Sequence, residues 1–133
     1  MDVSHTIEAK SDQLNADDLI GGPVVVKIMG AKEGAKDQPV ILAIATADRG
    51  LQPWKPCKTM RRLLVALWGK DASKWVGHFV RLYRDGSVRW AGAEVGGIRL
   101  DAADIDRPIE VMLTVTRGNK QPFKVVPLPK EIS

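Results

Sequence analysis

Only one stretch of this chain has the apolar spacing of a helix. Met60, Leu63, Leu64, Leu67 and Trp68 recur at i, i+3, i+4, i+7 and i+8, which is one stripe of an amphipathic helix of about three turns. Thr59 is the expected N-cap and Gly69 the expected C-cap. Elsewhere glycine and proline cut the sequence into short Val- and Ile-rich runs, so most of the apolar surface must be buried by strands. With 133 residues, the chain is long enough to close one hydrophobic core.

The strand signals pair up as hairpins. Pro23 to Lys32 and Pro39 to Ala47 flank the turn-like Glu33-Gly34-Ala35-Lys36-Asp37-Gln38. Residues 48–58 hold Pro53 and Pro56 around Trp54-Lys55, which excludes a helix and predicts an extended crossing segment. After the helix, Trp75 to Arg84 leads into Asp85-Gly86, a short-range hairpin signal, and then Ser87-Val88-Arg89-Trp90. Ile98-Arg99-Leu100 reads as a brief strand and Asp101 to Arg107 as a polar turn. Ile109 to Arg117 and Phe123 to Val126 form a third hairpin across Gly118 to Pro122.

The expected architecture is mainly β with one short helix: a small, partly open antiparallel β-barrel of OB type. Residues 49–54 would supply its third strand and 109–126 an extra C-terminal hairpin. Residues 1–20 read as an acidic N-terminal arm, 21–127 as the single domain and 128–133 as a tail. There is no internal repeat.

Charge is unevenly placed. Residues 1–20 hold one Lys/Arg against five Asp/Glu, whereas 51–100 hold ten against three. A basic block in a chain of formal charge +4 suggests an anionic partner. The sole cysteine, Cys57, cannot form an internal disulfide, and two histidines in total give no zinc-type cluster. No apolar run approaches a membrane span, and Met1 to Lys10 lacks the n- and h-regions of a secretory signal, so the expected location is cytoplasmic, with no membrane partner.

The basic block is also where the aromatic residues are. Trp54, Trp68, Trp75, Phe79, Tyr83 and Trp90, six of the seven aromatics, lie between 54 and 90. Bases stack on aromatic planes while Lys and Arg hold phosphates, so this interleaving suits a single-strand binder. With Asp85-Gly86 as a two-residue loop, 84 pairs with 87, 83 with 88 and 81 with 90. Phe79, Arg81, Tyr83, Val88 and Trp90 then share one face, and His78, Val80, Leu82 and Arg89 the other. A guanidinium between two aromatics makes a poor core, so the first face is expected to be the exposed platform; the alternative is a buried face with Arg81 snorkelling from its edge.

Trp68 and Trp75 are expected in the core. Trp54, Lys55 and Lys58 sit on a proline-stiffened segment running into a helix N-terminus, itself an anion site, with Arg61 and Arg62 able to extend the patch. A rigid crossover with solvated lysines is the plainer reading. Arg84 and Arg89 complete the expected backbone path.

Signals for catalysis are poor. Gly30 to Lys36 and Gly69-Lys70-Asp71 lack the spacing of a phosphate loop, and no serine sits in a nucleophile elbow. Asp101, Asp104 and Asp106 resemble a capping or solvated turn more than a cation site. The expectation is a non-enzymatic chain with no cofactor and no metal.

The ordered set Ala16-Asp17-Asp18-Leu19, Lys55-Pro56-Cys57-Lys58-Thr59-Met60, Leu67-Trp68-Gly69, Trp75-Val76-Gly77, Val80-Arg81-Leu82-Tyr83 and Gly97-Ile98-Arg99 resembles a group of small proteins encoded in phage and prophage genomes. The resemblance covers about residues 11–100. Members commonly carry Asn where this chain has Cys57, and the hairpin after Asp101 is not part of the pattern. Such proteins are similar to OB-fold single-stranded DNA-binding proteins of phage replication or recombination, which implies that function here, in the host cytoplasm. The alternative is a phage interaction module whose aromatic and arginine patch docks on a phage or host protein. Exposed strand edges leave homo-oligomerisation open.

Overall fold

The β-branched runs form strands wherever alternate residues find apolar partners across a ladder. The computed structural model of the protein describes residues 13–34, 36, 39–47, 50–87, 89–90, 93–94 and 97–129, with the backbone alone at 89–90, 93–94 and 116. Among the described residues there are nine strands and one α-helix. In chain order they are β1 (Val24–Glu33), β2 (Val40–Thr46), β3 (Gly50–Trp54), helix α1 (Lys58–Trp68), β4 (Phe79–Asp85), β5 (Arg89–Trp90), β6 (Ala93–Glu94), β7 (Gly97–Ala103), β8 (Ile109–Thr116) and β9 (Asn119–Pro127). Seven of them make one sheet in the order β3-β2-β1-β4-β7-β9-β8, while β5 and β6 form a separate ribbon.

The sheet is mainly antiparallel but mixed and not closed. β7 and β9 run parallel through Ala102 opposite Val126 and Ala103 opposite Pro127, and β3 and β8 lie at opposite edges. The expected mainly β architecture with one helix is present; this one parallel pair joins the last hairpin to the rest. The hairpins 24–33/40–46 and 109–116/119–127 form as expected. The second turns at Arg117-Gly118, earlier than Gly118 to Pro122, because Gly118 takes a φ of 74° and Pro122 is accommodated within β9.

One core lies between the sheet and α1. Val26 and Ile28 of β1, Leu42 and Ile44 of β2, and Val80 and Leu82 of β4 meet Met60, Leu63 and Leu64 of α1 there. Trp75 is buried and its Nε1 donates to the Gly69 carbonyl at 2.9 Å, tying the turn after α1 to the helix end. Gly69 has a φ of 96°, as its C-cap position requires. Trp68 is only half-buried and stacks on His78, with ring centroids 4.0 Å apart. Cys57, rather than Thr59, is the N-cap; Thr59 is already inside the first turn and buried.

Two expectations about chain organisation are corrected. Residues 13–20 are not a loose arm, since Leu14 and Leu19 belong to the core and the Leu14 amide donates to the Pro53 carbonyl at 2.9 Å. Two large apolar side chains in an acidic stretch are enough to dock it. Residues 1–12 of the expected arm lie outside the described residues.

The expected β4 hairpin across Asp85-Gly86 does not form. β4 pairs instead with β7, placing Leu82 beside Leu100 and Val80 beside Ala103, all four buried. The residues directly after Asp85-Gly86 offer no comparable apolar match. The chain turns there on an Asp85 carboxylate that accepts from both the amide and hydroxyl of Ser87, makes the β5–β6 ribbon and returns as β7. Ile98 to Leu100 thus lie within a seven-residue strand, and the expected turn begins only at Asp104. Among the described residues no helix is long and apolar enough to cross a membrane.

Candidate nucleic-acid interface

Alternation along β4 settles which side of that strand meets water. Val80 and Leu82 are fully buried, whereas Phe79, Arg81 and Tyr83 are half-exposed on the opposite face. The arginine between the aromatics stays at the surface because a carboxylate is available there. Asp101 on β7 accepts from Arg81 through both oxygens, at 2.8 Å from Nε and 3.1 Å from Nη2. This bidentate bond raises the ionisation of Arg81 beyond its ordinary value and holds the guanidinium plane in place.

Neighbouring strands extend this face. Lys27 of β1 lies opposite Phe79, with its Nζ 5.6 Å from the ring centroid, within cation–π range. Arg99 of β7 lies opposite Tyr83. Burial, followed by the charges of Asp85 and Asp101, pushes the Tyr83 hydroxyl above its ordinary ionisation range, so the ring stays neutral at any physiological pH.

Arg99 connects two groups of residues that are distant in sequence. Its side chain is 14% exposed, Nε lies 3.8 Å from the Asp85 carboxylate, and Nη1 lies 3.1 Å from Cys57 Sγ at the start of α1. Lys55 and Lys58 flank that cysteine, half-exposed and exposed respectively. Among the described residues, the N-cap Cys57 makes no side-chain cap to α1, which leaves the positive end of the helix dipole without a side-chain acceptor there. Arg61 folds back to donate to the Pro56 carbonyl at 2.7 Å and braces this segment, while Arg62 reaches toward the Thr114 carbonyl at 3.4 Å.

The sequence-predicted site residues therefore separate. Phe79, Arg81 and Tyr83 stand together, and Arg99 links them to Lys55 and Lys58. Arg84 alternates away to the other face of β4, with its Nε 4.0 Å from an Asp17 carboxylate oxygen. Trp54 is a correction: it is 1% exposed and offers no ring plane to a base. It is the last residue of strand β3, opposite Leu42, and its alternation points it into the core; Pro53 before it is tolerated because β3 is an edge strand. Arg89 and Trp90 lie in β5, and their side chains are outside the described part of the structure. With β4 paired to β7, the expected pairings of 84 with 87 and 81 with 90 do not form, so the ladder no longer places Trp90 beside Arg81, and Val88, expected opposite Tyr83, lies outside the described residues.

Sequence reasoning missed Lys27 and Arg99 as site residues. Lys27 interrupts the apolar run of β1 at an outward position, a parity signal visible in the sequence. Arg99 carried no such signal, because its position depends on β7 pairing with β4. Asp101 is taken up by Arg81, and Asp104 accepts from the Phe79 amide at 3.1 Å while lying 2.9 Å from His78 Nδ1. These two carboxylates brace the strands at this face. No family model matches the chain, and no match to it is found among curated proteins or solved structures.

Proposed function

We propose that this chain is a non-enzymatic, sequence-tolerant single-stranded nucleic-acid-binding protein of the phage type its sequence resembles, acting in the host cytoplasm. The observation that carries the reading is the position of Arg99, opposite Tyr83 on the sheet and in contact with Cys57 between Lys55 and Lys58. It makes one surface of two aromatics, an uncapped helix N-terminus and cations from four separate segments. Phe79 and Tyr83 receive bases, and Lys27, Lys55, Lys58, Arg62, Arg81 and Arg99 line the backbone path.

The strand order β3-β2-β1-β4-β7, with α1 between β3 and β4 along the chain, supports an open OB-type arrangement in which β8 and β9 are an addition. A protein partner is the competing reading. It is favoured by the aspartates that already face Arg81 and Arg99, which leave less free charge than the sequence suggests.

Amide chemical-shift mapping with oligo-dT tests the assignment. The expected changes cluster at Lys27, Lys55 to Thr59, Phe79 to Tyr83 and Arg99. Changes confined to the β8–β9 hairpin, or none at saturating oligonucleotide, would overturn it.

A further inference from the structure

The segment that docks residues 13–20 onto the domain also builds a groove outside the surface described above. It has a volume of about 290 Å³ and is lined by Leu19, Ile20, Gly22, Pro23, Tyr83 and Arg84. Its chemistry is mixed in a particular way. Ile20 is 69% exposed and gives the groove an apolar rim. Tyr83 gives the groove an aromatic wall that is shared with the outer face of β4. Arg84 gives it a guanidinium whose Nε is buried and has no hydrogen-bond acceptor among the described residues.

An unsatisfied buried donor is costly, and the structure holds only a loose substitute for its acceptor. Among the described residues, the carboxylate oxygen that approaches that Nε is from Asp17, 4.0 Å away on a side chain that is 80% exposed. Asp17 is in the short turn Ala16–Leu19, pinned by Leu19. An anionic group therefore already stands near Arg84, too far for a hydrogen bond and free to swing into solvent.

We propose that this groove takes one nucleotide unit of a bound single strand. Its phosphate displaces the Asp17 carboxylate and bonds to Arg84, and its sugar and base lie against Tyr83, Pro23 and Ile20. The proposal rests on the single-strand reading and deepens it: Arg84, which β4 turns away from the platform, becomes a phosphate contact, and Asp17 becomes a built-in competitor. A phosphate oxygen supplies the acceptor that Asp17 fails to provide, and the apolar rim covers the flat ring system.

The test is oligo-dT affinity of the full chain across a salt series for wild type, Arg84→Gln and Asp17→Asn, with circular dichroism confirming the fold of each. Lys124→Gln and Glu110→Gln, an exposed opposed pair on the last hairpin, are the charge controls. Arg84→Gln should weaken binding about tenfold and reduce the log–log salt slope by about one. Asp17→Asn should tighten binding severalfold, and the two controls should change it less than their counterparts. Oligo-dT binding that Arg84→Gln and Asp17→Asn alter no more than the controls overturns the groove and leaves the platform standing. Absence of oligo-dT binding by every protein at low salt overturns both. If Arg84→Gln fails to fold, Asp17→Asn against Glu110→Gln decides: equal affinities overturn the groove.

Discussion

Tyr83 and Trp54 are both aromatic residues of the basic half of the chain, and strand parity sends them to opposite sides of the sheet. Tyr83→Ala should therefore lose roughly 1 to 3 kcal/mol of oligonucleotide binding while the cooperative thermal transition persists. Trp54→Ala should instead cost about 3 to 5 kcal/mol of stability in urea unfolding, because it empties a buried site. If Tyr83→Ala unfolded the chain with no separate binding defect, the ring would belong to the packing. Asp85 carries a prediction about pH. Its carboxyl is held below its ordinary value, first by the Ser87 hydroxyl, with the Ser87 amide and Arg99 adding to the effect and burial opposing it. A carboxyl depressed in the folded state contributes stability above its unfolded value of about 3.9, and loses it as pH falls through the folded value. Ser87→Ala should move the Asp85 titration upward and shrink that acid-side dependence, read by carboxyl-carbon NMR; an unchanged titration would deny the hydroxyl its role.

At the scale of elements, the first and last hairpins, the helix and the outward parity of Phe79, Arg81 and Tyr83 were legible in the sequence, because each follows from contacts close along the chain or from a period within one strand. The pairing of β4 with β7 was not. Asp85-Gly86 carries the local signature of a tight turn, but Leu100 and Ala103 outcompete the nearer residues as partners for Leu82 and Val80, and a long-range apolar match leaves no local mark. Arg99 was missed with it, since its place in the site is a consequence of that ladder. Trp54 was misread because two flanking prolines look like a surface crossing, and edge strand β3 tolerates Pro53. The β8–β9 hairpin lies beyond the five strands expected of the barrel, and its Leu113 and Val125 belong to the same core. Leu113→Ala should thus cost about 2 to 3 kcal/mol, whereas Met112→Ala, at a side chain 57% exposed, should stay within about 0.5 kcal/mol. Equal and small effects in denaturant unfolding would make the hairpin a passive appendage.

At the scale of the molecule, the basic block of the sequence becomes a surface whose arginines are partly matched by aspartates: Arg81 by Asp101, Arg99 by Asp85 and Arg84 at longer range by Asp17. Each pair is partly exposed, so its net contribution to stability is at most modest. On the proposed function, a nucleic-acid backbone would compete with these carboxylates for the same guanidinium groups, and the affinity would then be sensitive to salt. The measurement that tests this most directly is the anisotropy of a labelled oligo-dT titrated with the protein at rising salt. Saturable binding at low salt, with log affinity falling linearly in log salt at a slope of about −2 to −4, is the predicted result for about three to six phosphates neutralised. No binding at any salt, or an affinity indifferent to salt, would contradict the assignment and point to a protein partner for the same face.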